Sequence, residues 1–592
     1  MNTQNANLLL AYAFADQCRR WAQQSNAPDI SVDTAGKAGF ALALAASEGE
    51  IRVSLANASL DDAALHASGV AGDLASGRPL IMDNAGHLYL ARYFFAEARL
   101  GADLLARHRA VPPPPGKPAR QMLARLFPPS AQHAPDEQKH AVALALLRRL
   151  TIISGGPGTG KTFTVARLLA CLLADNPTLR IALAAPTGKA AARMQETMRL
   201  RAQDLPPEIA RLLPPNATTL HRLLGLGAEG GAPRHHANNP LALDVLVVDE
   251  ASMLDLMLAH QLCAALPPHA RLILLGDKAQ LQAVEAGAIF ATLCPRTTLS
   301  AATRAAIAEL TGETEDIIAN DPQDAETSPF QDAVIQLTQS RRFPPESPLG
   351  RLARHLAAGE IQAALALLDQ QHVELNYLES SGSARSSAEN DLLTAGYAAY
   401  WKALAGWRAG DDPKPIFQAL DSFRVLCVVR EGERGVSGVN RVLSAALATS
   451  GRQKSEKDRG RSSLSGQPIL IQRNDAALHL SNGDIGIMLE HGEDNALFAC
   501  FPATDADGCN GYRWLPLSRL PTWEGAFAMS VHKAQGSEFE HVALLLPEKD
   551  NPLMTRELLY TALTRARQGI TLLGNRALIR SALAIRGQKT EG

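Results

Sequence analysis

The clearest chemistry in this sequence lies in the glycine-rich stretch 154–162. It fits the pattern G-x-x-x-x-G-K-[ST], whose glycines let successive backbone N–H groups point at phosphate oxygens. In this pattern the lysine reaches the β- and γ-phosphates of ATP, and the hydroxyl after it holds Mg²⁺. The residues predicted to bind nucleotide are Gly155, Gly156, Pro157, Gly158, Thr159, Gly160, Lys161 and Thr162, with Thr162 also a metal ligand.

A glycine-rich turn that binds nothing is the alternative, and the flanking residues argue against it. The apolar run 150–153 predicts a strand, and the periodic segment 163–173 predicts a helix. Such a helix directs the positive end of its dipole at the loop. Gln138, just upstream of the strand, is predicted to hydrogen-bond an adenine edge, although surface glutamines are common.

Further polar residues follow other apolar strands. The run 243–248 delivers Asp249, a candidate Mg²⁺ ligand, and Glu250, a candidate base for the attacking water. A helix cap is the alternative role for these two acids. The run 271–275 leads to Gln280, which is placed to sense a γ-phosphate. In parallel α/β folds ligands bind at the carboxyl ends of strands, so these residues are expected to share one site.

Other turns could contact a second, phosphate-bearing ligand. Thr187 and Lys189 follow the strand 180–185, and an ordinary β–α turn is an equally good interpretation. His221 lies among Thr and Arg residues at a helix start, where a phosphate contact competes with a structural role.

Arginines in the C-terminal half of the chain complete the set of candidate site residues. Arg342 precedes Phe343 and could contact nucleic acid or act as an arginine finger. Arg565 and Arg567 lie on a predicted helix that begins at Leu559. We expect Arg565 and Arg567 to be exposed, and a solvated basic face is the alternative. Because the second half has no phosphate loop of its own, an arginine reaching across to the first half is physically reasonable.

Composition limits the class of protein. The 592 residues carry a net charge of −2, so any nucleic-acid surface must be confined to a groove. Hydrophobic residues make up 46%, enough for several cores. The seven cysteines form no CxxC pair, which gives no indication of zinc and suits a reducing cytoplasm. We expect no signal peptide and no membrane span.

Composition shifts predict six segments. They are a helical N-terminal docking domain (1–110), a proline-rich extended linker (111–133), a first α/β core (134–335), the first part of a second core (336–466), a small β-barrel insertion (467–522) and the second part of the second core (523–592). Within the first core, the acidic stretch 309–326 is expected to be part of an exposed insertion.

Eight motifs together resemble those of superfamily 1 DNA helicases of the 5′→3′ branch, and within it the RecD family. They are GGPGTGKT, APTGKAA, TTLHRLLG, VVDEASM, GDKAQL, LTQSRRF, AMSVHKAQGSEF and LYTALTRAR. The resemblance covers residues 134–575. Two departures are Arg341, in place of an aromatic residue, and Ala534, in place of a serine.

The resemblance implies an α/β fold of two RecA-like P-loop NTPase domains, a helical N-terminal domain and an SH3-like β-barrel insertion. It implies ATP and Mg²⁺ as cofactors, and single-stranded DNA and duplex DNA ends as partners. It also implies RecB and RecC subunits in a heterotrimer, with no nuclease site in this chain. A stand-alone helicase and a DNA-binding subunit with a degenerate ATPase remain alternatives.

The same resemblance assigns roles to single residues. The implied catalytic residues are Lys161, Glu250, Gln280, Arg342 and Arg565, and Gly536 joins the nucleotide-binding set. The implied DNA contacts are Thr187, Lys189, His221, His532 and Gln535.

Overall fold

The computed structural model describes most of the chain. The ranges are 3–128, 136–227, 231–283, 285–294, 299–318, 328–370, 372–380, 382, 384–450, 464–475, 477–492, 496–504 and 510–585. Within these ranges every helix is too short or too polar to cross a lipid bilayer.

The N-terminal domain is a mixture of helices and a small sheet. Its elements are α1 (Thr3–Gln24), α2 (Asp29–Ser47), β1 (Arg52–Ser54), α3 (Asp62–Ala67), β2 (Ala71–Gly72), β3 (Leu80–Met82), β4 (His87–Leu90) and α4 (Ala91–Arg109). The four strands form a sheet in the order β1-β4-β3-β2. The prediction of a helical domain missed this sheet, because strands of two to four residues are too short to show a period of two.

The predicted linker is only partly extended. Residues 111–116 have no regular structure, but Lys117–Leu126 forms helix α5, which packs on the first core. Leu123 and Phe127 are buried there. The prediction of an extended linker over 111–133 is therefore wrong for its central part, and residues 129–133 lie outside the described residues.

The first core is built around a parallel sheet. Its elements are α6 (Glu137–Leu147), β5 (Leu150–Gly155), α7 (Lys161–Asp175), β6 (Ile181–Ala185), α8 (Gly188–Ala202), α9 (Pro207–Ala210), β7 (Ala217–Thr219), α10 (Leu220–Leu224), β8 (Val245–Val248), α11 (Leu256–Ala265), β9 (Arg271–Gly276), α12 (Phe290–Leu293), α13 (Ala301–Thr311) and β10 (Val334–Leu337). The strand order is β10-β5-β9-β8-β6-β7, and every neighbouring pair is parallel.

Two features of this core differ from the expected segments. Strand β10 pairs with β5 through Leu337, so the core ends later than the predicted boundary at residue 335. Glu313, from the acidic stretch that was expected to be exposed, accepts hydrogen bonds from Lys139 and His140 on α6, so this part of the stretch packs on the core. Residues 319–327 of that insertion lie outside the described residues.

The second core has its own parallel sheet. Its elements before the insertion are α14 (Pro348–Ala358), α15 (Ile361–Leu368), β11 (Leu375–Glu379), α16 (Ser387–Gly396), α17 (Ala398–Gly406), α18 (Lys414–Asp421), β12 (Phe423–Cys427) and α19 (Val436–Ser450). The strands of the insertion are β13 (Pro468–Ile471), β14 (Ile485–His491), β15 (Ala496–Thr504), β16 (Asn510–Pro516) and β17 (Trp523–Gly525). The core then continues with β18 (Ala528–Ser530), β19 (Phe539–Leu545), α20 (Arg556–Leu563), β20 (Ala566–Gly574) and α21 (Arg576–Ala584). The order of the core strands is β11-β20-β19-β12-β18.

The insertion is a five-stranded antiparallel sheet in the order β16-β15-β14-β13-β17. Because β17 pairs with β13, the insertion reaches Gly525, three residues beyond its predicted end. Aromatic pairs hold it against the second core. Trp514 stacks on Trp407, with ring centroids 6.4 Å apart, and Tyr512 stacks on Phe417 at 5.3 Å.

The packing of α5 gives a direct test of the corrected linker. We expect Leu123→Ala to lower the free energy of unfolding of the first core by about 2–5 kcal/mol, because it leaves a cavity under α7. Arg125→Ala, an exposed position on the same helix, is the control and should change it by less than about 0.5 kcal/mol. Urea unfolding of the full chain measures the free energy of unfolding of both variants. A loss for Leu123→Ala as small as that for Arg125→Ala would favour an unpacked linker.

Candidate active site

A cleft of about 410 Å³ lies between the two cores, and residues of both face it. From the first core these include Gln138, Gly156, Pro157, Gly158, Gly160, Lys161, Thr162, Arg193, Asp249, Glu250 and Gln280. Four more lie beyond β10 or in the second core: Arg341, Arg342, Glu538 and Arg565. The structure thus brings together most of the predicted nucleotide-site residues, from positions up to 427 apart in the chain.

The glycine-rich loop joins β5 to α7 and is held by its own side chains. Thr159 is buried, and its hydroxyl donates to the Gly156 carbonyl at 2.8 Å. The Lys161 ammonium donates to the carbonyls of Gly155 and Gly156, at 2.5 and 3.2 Å. Gly155 and Thr159 therefore shape the loop without lining the cleft. Gly160 has a φ of +85°, a left-handed conformation that favours glycine.

Gln138 contacts the loop directly. Its side-chain amide donates to the Thr159 carbonyl at 2.8 Å, and a Cβ at Gly160 would lie 2.3 Å from the same nitrogen. The amide nitrogen therefore supports the loop, while the residue also faces the cleft. The predicted contact with an adenine edge stays a prediction.

The two acids stand at the carboxyl end of β8. The Asp249 carboxylate accepts the backbone N–H of Glu250 at 2.8 Å. Burial and the charge of Glu250 raise the pKa of Asp249 to about 6, against the opposing charge of Lys161. Glu250 has a φ of +51°, which is costly for a residue with a side chain and aims its carboxylate into the cleft.

Arg342 is carried by a segment that rests on the glycine-rich loop. The Ser340 hydroxyl donates to the Pro157 carbonyl at 2.8 Å, and the Arg341 backbone N–H donates to the Gly158 carbonyl at 2.9 Å. Gly158, with a φ of +76°, permits this approach, because a Cβ there would lie 2.4 Å from the Arg342 Cβ. The loop and the arginine are thus positioned by the same contacts.

The Arg342 guanidinium pairs with Glu538 at 2.5 Å through Nη2. Its Nη1 is buried without a hydrogen-bond partner among the described residues. Burial, then the charges of Arg193, Arg565 and Arg567, lower the pKa of Arg342 to about 9. A cationic donor with a free N–H in a cleft is suited to an anionic ligand.

Arg193 and Glu538 are functional candidates that the sequence analysis missed. The Glu538 carboxylate accepts hydrogen bonds from Arg193 of α8, from Arg342 and from Arg567 at the start of β20. Glu538 thereby links both cores across the cleft. Glu538 lies within the motif AMSVHKAQGSEF, but no local pattern pairs it with Arg193, which is 345 positions away in the chain.

Arg565 is buried, with 2% of its surface exposed, so the expectation of an exposed arginine is wrong. It follows α20 rather than lying on it, while Arg567 is exposed on β20. Its guanidinium donates to the Thr561 and Ser537 carbonyls, both at 3.2 Å, and to the Gln280 side-chain oxygen at 3.1 Å. Gln280 therefore contacts the arginine of the opposite core.

Two of the predicted DNA contacts, Lys189 and Gln535, lie beside the opposite core. The Thr187 hydroxyl caps α8 by accepting the Ala190 N–H at 3.2 Å. The Lys189 ammonium lies 5.9 Å from the centre of the Phe539 ring. Gln535 is buried, and its amide donates to the Leu281 carbonyl of the first core at 3.0 Å. Gln535 is thus an inter-core contact, and its predicted contact with DNA stays a prediction.

The remaining predicted DNA contacts are His221 and His532, and Gly536 is predicted to bind nucleotide. His221 is exposed on α10, and His532 is half-buried, with its pKa lowered by burial. Gly536 has a φ of +74° and its carbonyl accepts from Arg193 at 3.5 Å, but it does not line the cleft. DNA contacts by Thr187, Lys189, His221 and His532 stay predictions.

Comparison with known proteins identifies the family. Residues 138–286 match the AAA domain family, and residues 525–573 match the UvrD-like helicase C-terminal domain. RecBCD enzyme subunit RecD of Haemophilus influenzae is 36% identical over 495 residues, which cover 78% of this chain and 72% of that protein. The chain belongs to the RecD family.

Other relatives agree with this assignment. RecD of Mycolicibacterium smegmatis is also 36% identical, over 87% of this chain and 83% of its own length. The ATP-dependent RecD2 DNA helicase of Deinococcus radiodurans is 30% identical, over 88% of this chain and 58% of its own length. A crystal structure of Bacteroides Pif1 bound to single-stranded DNA aligns with 74% of this chain and 91% of that chain, at 16% identity and a TM-score of 0.35. At that score only the sequence relatives bear on the family.

The contact between Gly158 and Arg342 predicts a specific defect in this RecD-family chain. Gly158→Ala adds a Cβ that must displace the arginine segment, so we expect ATP hydrolysis to fall about 100-fold. Gly77→Ala is the control, because Gly77 has a similar φ of +62° but no atom within 4 Å of the added Cβ. Steady-state ATP hydrolysis measures both. Equal activities of the two variants would show that the displacement does not matter.

Proposed function

We propose that this chain is an ATP-driven 5′→3′ helicase on single-stranded DNA that works as the RecD subunit of a RecBCD-type complex. The observation that carries the proposal is the cleft itself. Lys161, Asp249 and Glu250 of the first core face Arg342 and Arg565 across one space of about 410 Å³. A nucleotide bound there touches both cores, so its hydrolysis can change how the cores meet.

The residues present fit a nucleoside triphosphate. Lys161 lies among carbonyls of the loop and is free to move its ammonium to phosphate oxygens, which are stronger acceptors. The loop N–H groups and the N-terminus of α7 add positive potential at the same place. The described cleft also contains Arg193 and Arg342, so the site is rich in cations for a polyanion.

The same cleft fits Mg²⁺, which prefers oxygen ligands and usually binds through one or two protein groups together with phosphates and water. Thr162 and Asp249 supply a hydroxyl and a carboxylate that line the cleft. They would hold the ion, and the ion would supply charge neutralisation for the phosphates. Lys161 supports that neutralisation from the protein side.

Glu250 and the arginines divide the remaining chemistry. Glu250 acts as the base that orients and deprotonates the attacking water. Arg342 and Arg565 stabilise the charge that develops on the transferred phosphoryl group, an effect worth roughly 10³–10⁵ in rate for arginine fingers. Both arginines can do so only while the cores are closed around the nucleotide, which couples turnover to closure.

Movement along DNA follows from alternate closing and opening. Thr187, Lys189, His221 and His532 bind the sugar–phosphate backbone, so binding is independent of sequence and weakens with salt. The β insertion, a small SH3-like barrel in this proposal, guides the strand. Because it packs on the second core through Trp514 and Tyr512, it moves with that core.

The partners in this proposal are RecB and RecC subunits, duplex DNA ends and the strand released from them, in the cytoplasm. Helix α1 presents an apolar surface suited to a protein partner. Its exposed side chains are Leu8, Leu9, Leu10 and Tyr12. An exposed apolar patch on a docking domain is typical of a subunit interface.

The catalytic part of the proposal predicts a separation of binding from turnover. We expect Lys161→Ala to reduce DNA-stimulated ATP hydrolysis to background while leaving DNA binding largely intact, because the lysine contacts phosphate and not DNA. Lys402→Ala, an exposed position outside the cleft lining, is the control. Full turnover by the Lys161 variant would refute the site, and absence of turnover in the wild-type chain would favour a degenerate assembly subunit.

Polarity and subunit status are tested by strand displacement. We expect the chain with its co-purified partners to displace a strand from a substrate with a 5′ overhang, at least about tenfold faster than from one with a 3′ overhang. The same assay on the isolated chain distinguishes a subunit from a stand-alone helicase. Faster displacement from the 3′ overhang would overturn the proposed direction.

A further inference from the structure

Between the cores, beside the cleft, three hydrogen bonds link four buried side chains in a row, and the backbone of residues 560–565 joins the two ends of the row. Asp277 and Gln280 come from the turn after β9, and Tyr560 and Arg565 come from α20 and the residues after it. The Tyr560 hydroxyl donates to the Asp277 carboxylate at 3.1 Å, the Gln280 amide donates to the same carboxylate at 3.1 Å, and Arg565 donates to the Gln280 oxygen at 3.1 Å. We call this set the inter-core ring.

The hydrogen bonds of the ring fix the orientation of the Gln280 side-chain amide. Gln280 must turn its nitrogen to the Asp277 carboxylate and its oxygen to the Arg565 guanidinium, because a flipped amide would face both partners with the wrong polarity. The orientation of the amide therefore depends on where the carboxylate is held. A displaced carboxylate would move the acceptor that Arg565 uses.

The Tyr560 hydroxyl is the part of the ring that ties Asp277 to the second core. Asp277 also accepts the Ala279 N–H at 3.0 Å, from its own turn. Of the donors to Asp277 among the described residues, Tyr560 is the one from the opposite core. Asp277 is 4% exposed, and a buried carboxylate that loses a donor bears an uncompensated desolvation cost.

The surroundings of Tyr560 connect the ring to the phosphate loop. A Cβ added at Gly156 would lie 3.0 Å from the Tyr560 hydroxyl oxygen, so the hydroxyl lies beside the loop. Burial and the charge of Asp277 raise the pKa of Tyr560 well above its usual value, so the hydroxyl stays protonated and remains a donor. Next to the ring, the Leu281 N–H donates to the Thr561 hydroxyl at 2.7 Å.

We propose that Tyr560 is a positioning residue for ATP hydrolysis: by holding Asp277 it orients Gln280, and through Gln280 it places the guanidinium of Arg565. The ring needs both cores, so it exists only when the cleft is closed. It therefore makes the alignment of the arginine conditional on closure. This inference rests on the proposed function, since it assigns Arg565 to phosphoryl transfer.

Removal of one hydroxyl tests the inference with little disturbance of packing. We expect Tyr560→Phe to lower the kcat of DNA-stimulated ATP hydrolysis about tenfold, because a hydrogen bond to a buried charge is lost. KM for ATP should stay within about twofold, because the phosphate loop and Lys161 are unchanged. The control is Tyr400→Phe, at a fully buried tyrosine whose hydroxyl donates to the Gly466 carbonyl at 2.7 Å, outside the cleft lining.

The control separates a positioning role from a purely structural one. Both variants lose one buried hydroxyl bond and should lose similar thermal stability, but only Tyr560→Phe should lose kcat. A kcat for Tyr560→Phe within about twofold of wild type would overturn the inference, and so would equal losses of kcat in both variants.

A double-mutant cycle gives a second measurement. Tyr560→Phe and Asp277→Ala each remove the contact between these two side chains, so their effects on kcat should be strongly non-additive, with the double variant close to the worse single variant. Losses that multiply would overturn the inference. ATP turnover by the wild-type chain distinguishes failure of the proposed function from failure of this inference. Absence of wild-type turnover would overturn both. Normal wild-type turnover together with a fully active Tyr560→Phe variant would overturn this inference alone.

Discussion

A guanidinium group buried between two protein cores needs hydrogen-bond acceptors on every side, and Arg565 obtains them from both cores. The Thr561 and Ser537 carbonyls belong to the second core, and the Gln280 oxygen belongs to the first. Separation of the cores would remove the Gln280 contact and expose that side of the guanidinium to water. The site is consequently complete only in the closed arrangement, which is the property a nucleotide-driven motor requires.

The same dependence on contact extends to Arg342 and Glu538. Arg342 rests on the loop through Gly158, and Glu538 holds arginines from both sides of the cleft. These charges lie close together in a partly buried space, where Coulomb interactions are stronger than in water. A triphosphate entering the cleft would compete with Glu538 for the same guanidinium groups. The electrostatics of the cleft are therefore arranged around an anion.

Sequence patterns predicted the parts of this protein that depend on neighbouring residues. The loop 154–162, the strand before Asp249 and the strands of the insertion follow from short motifs and apolar runs, and the structure has them close to the expected positions. The N-terminal sheet and helix α5 were missed, because two- to four-residue strands carry little periodicity and four prolines obscured the helix that follows them. The hydrogen bond that the Gln535 amide donates to the first core was not predicted either, because it depends on how the two cores pack.

The sequence by itself determined which groups could handle phosphate, since glycine, lysine, threonine and paired acids at fixed spacing have that chemistry in any strand–loop–helix setting. Only the tertiary structure decided which distant groups complete the site. Arg193 meets Glu538, and Tyr560 meets Asp277, across hundreds of residues of intervening chain. The physical reason is that such contacts depend on how the two cores pack against each other. No local sequence pattern within either core specifies that packing.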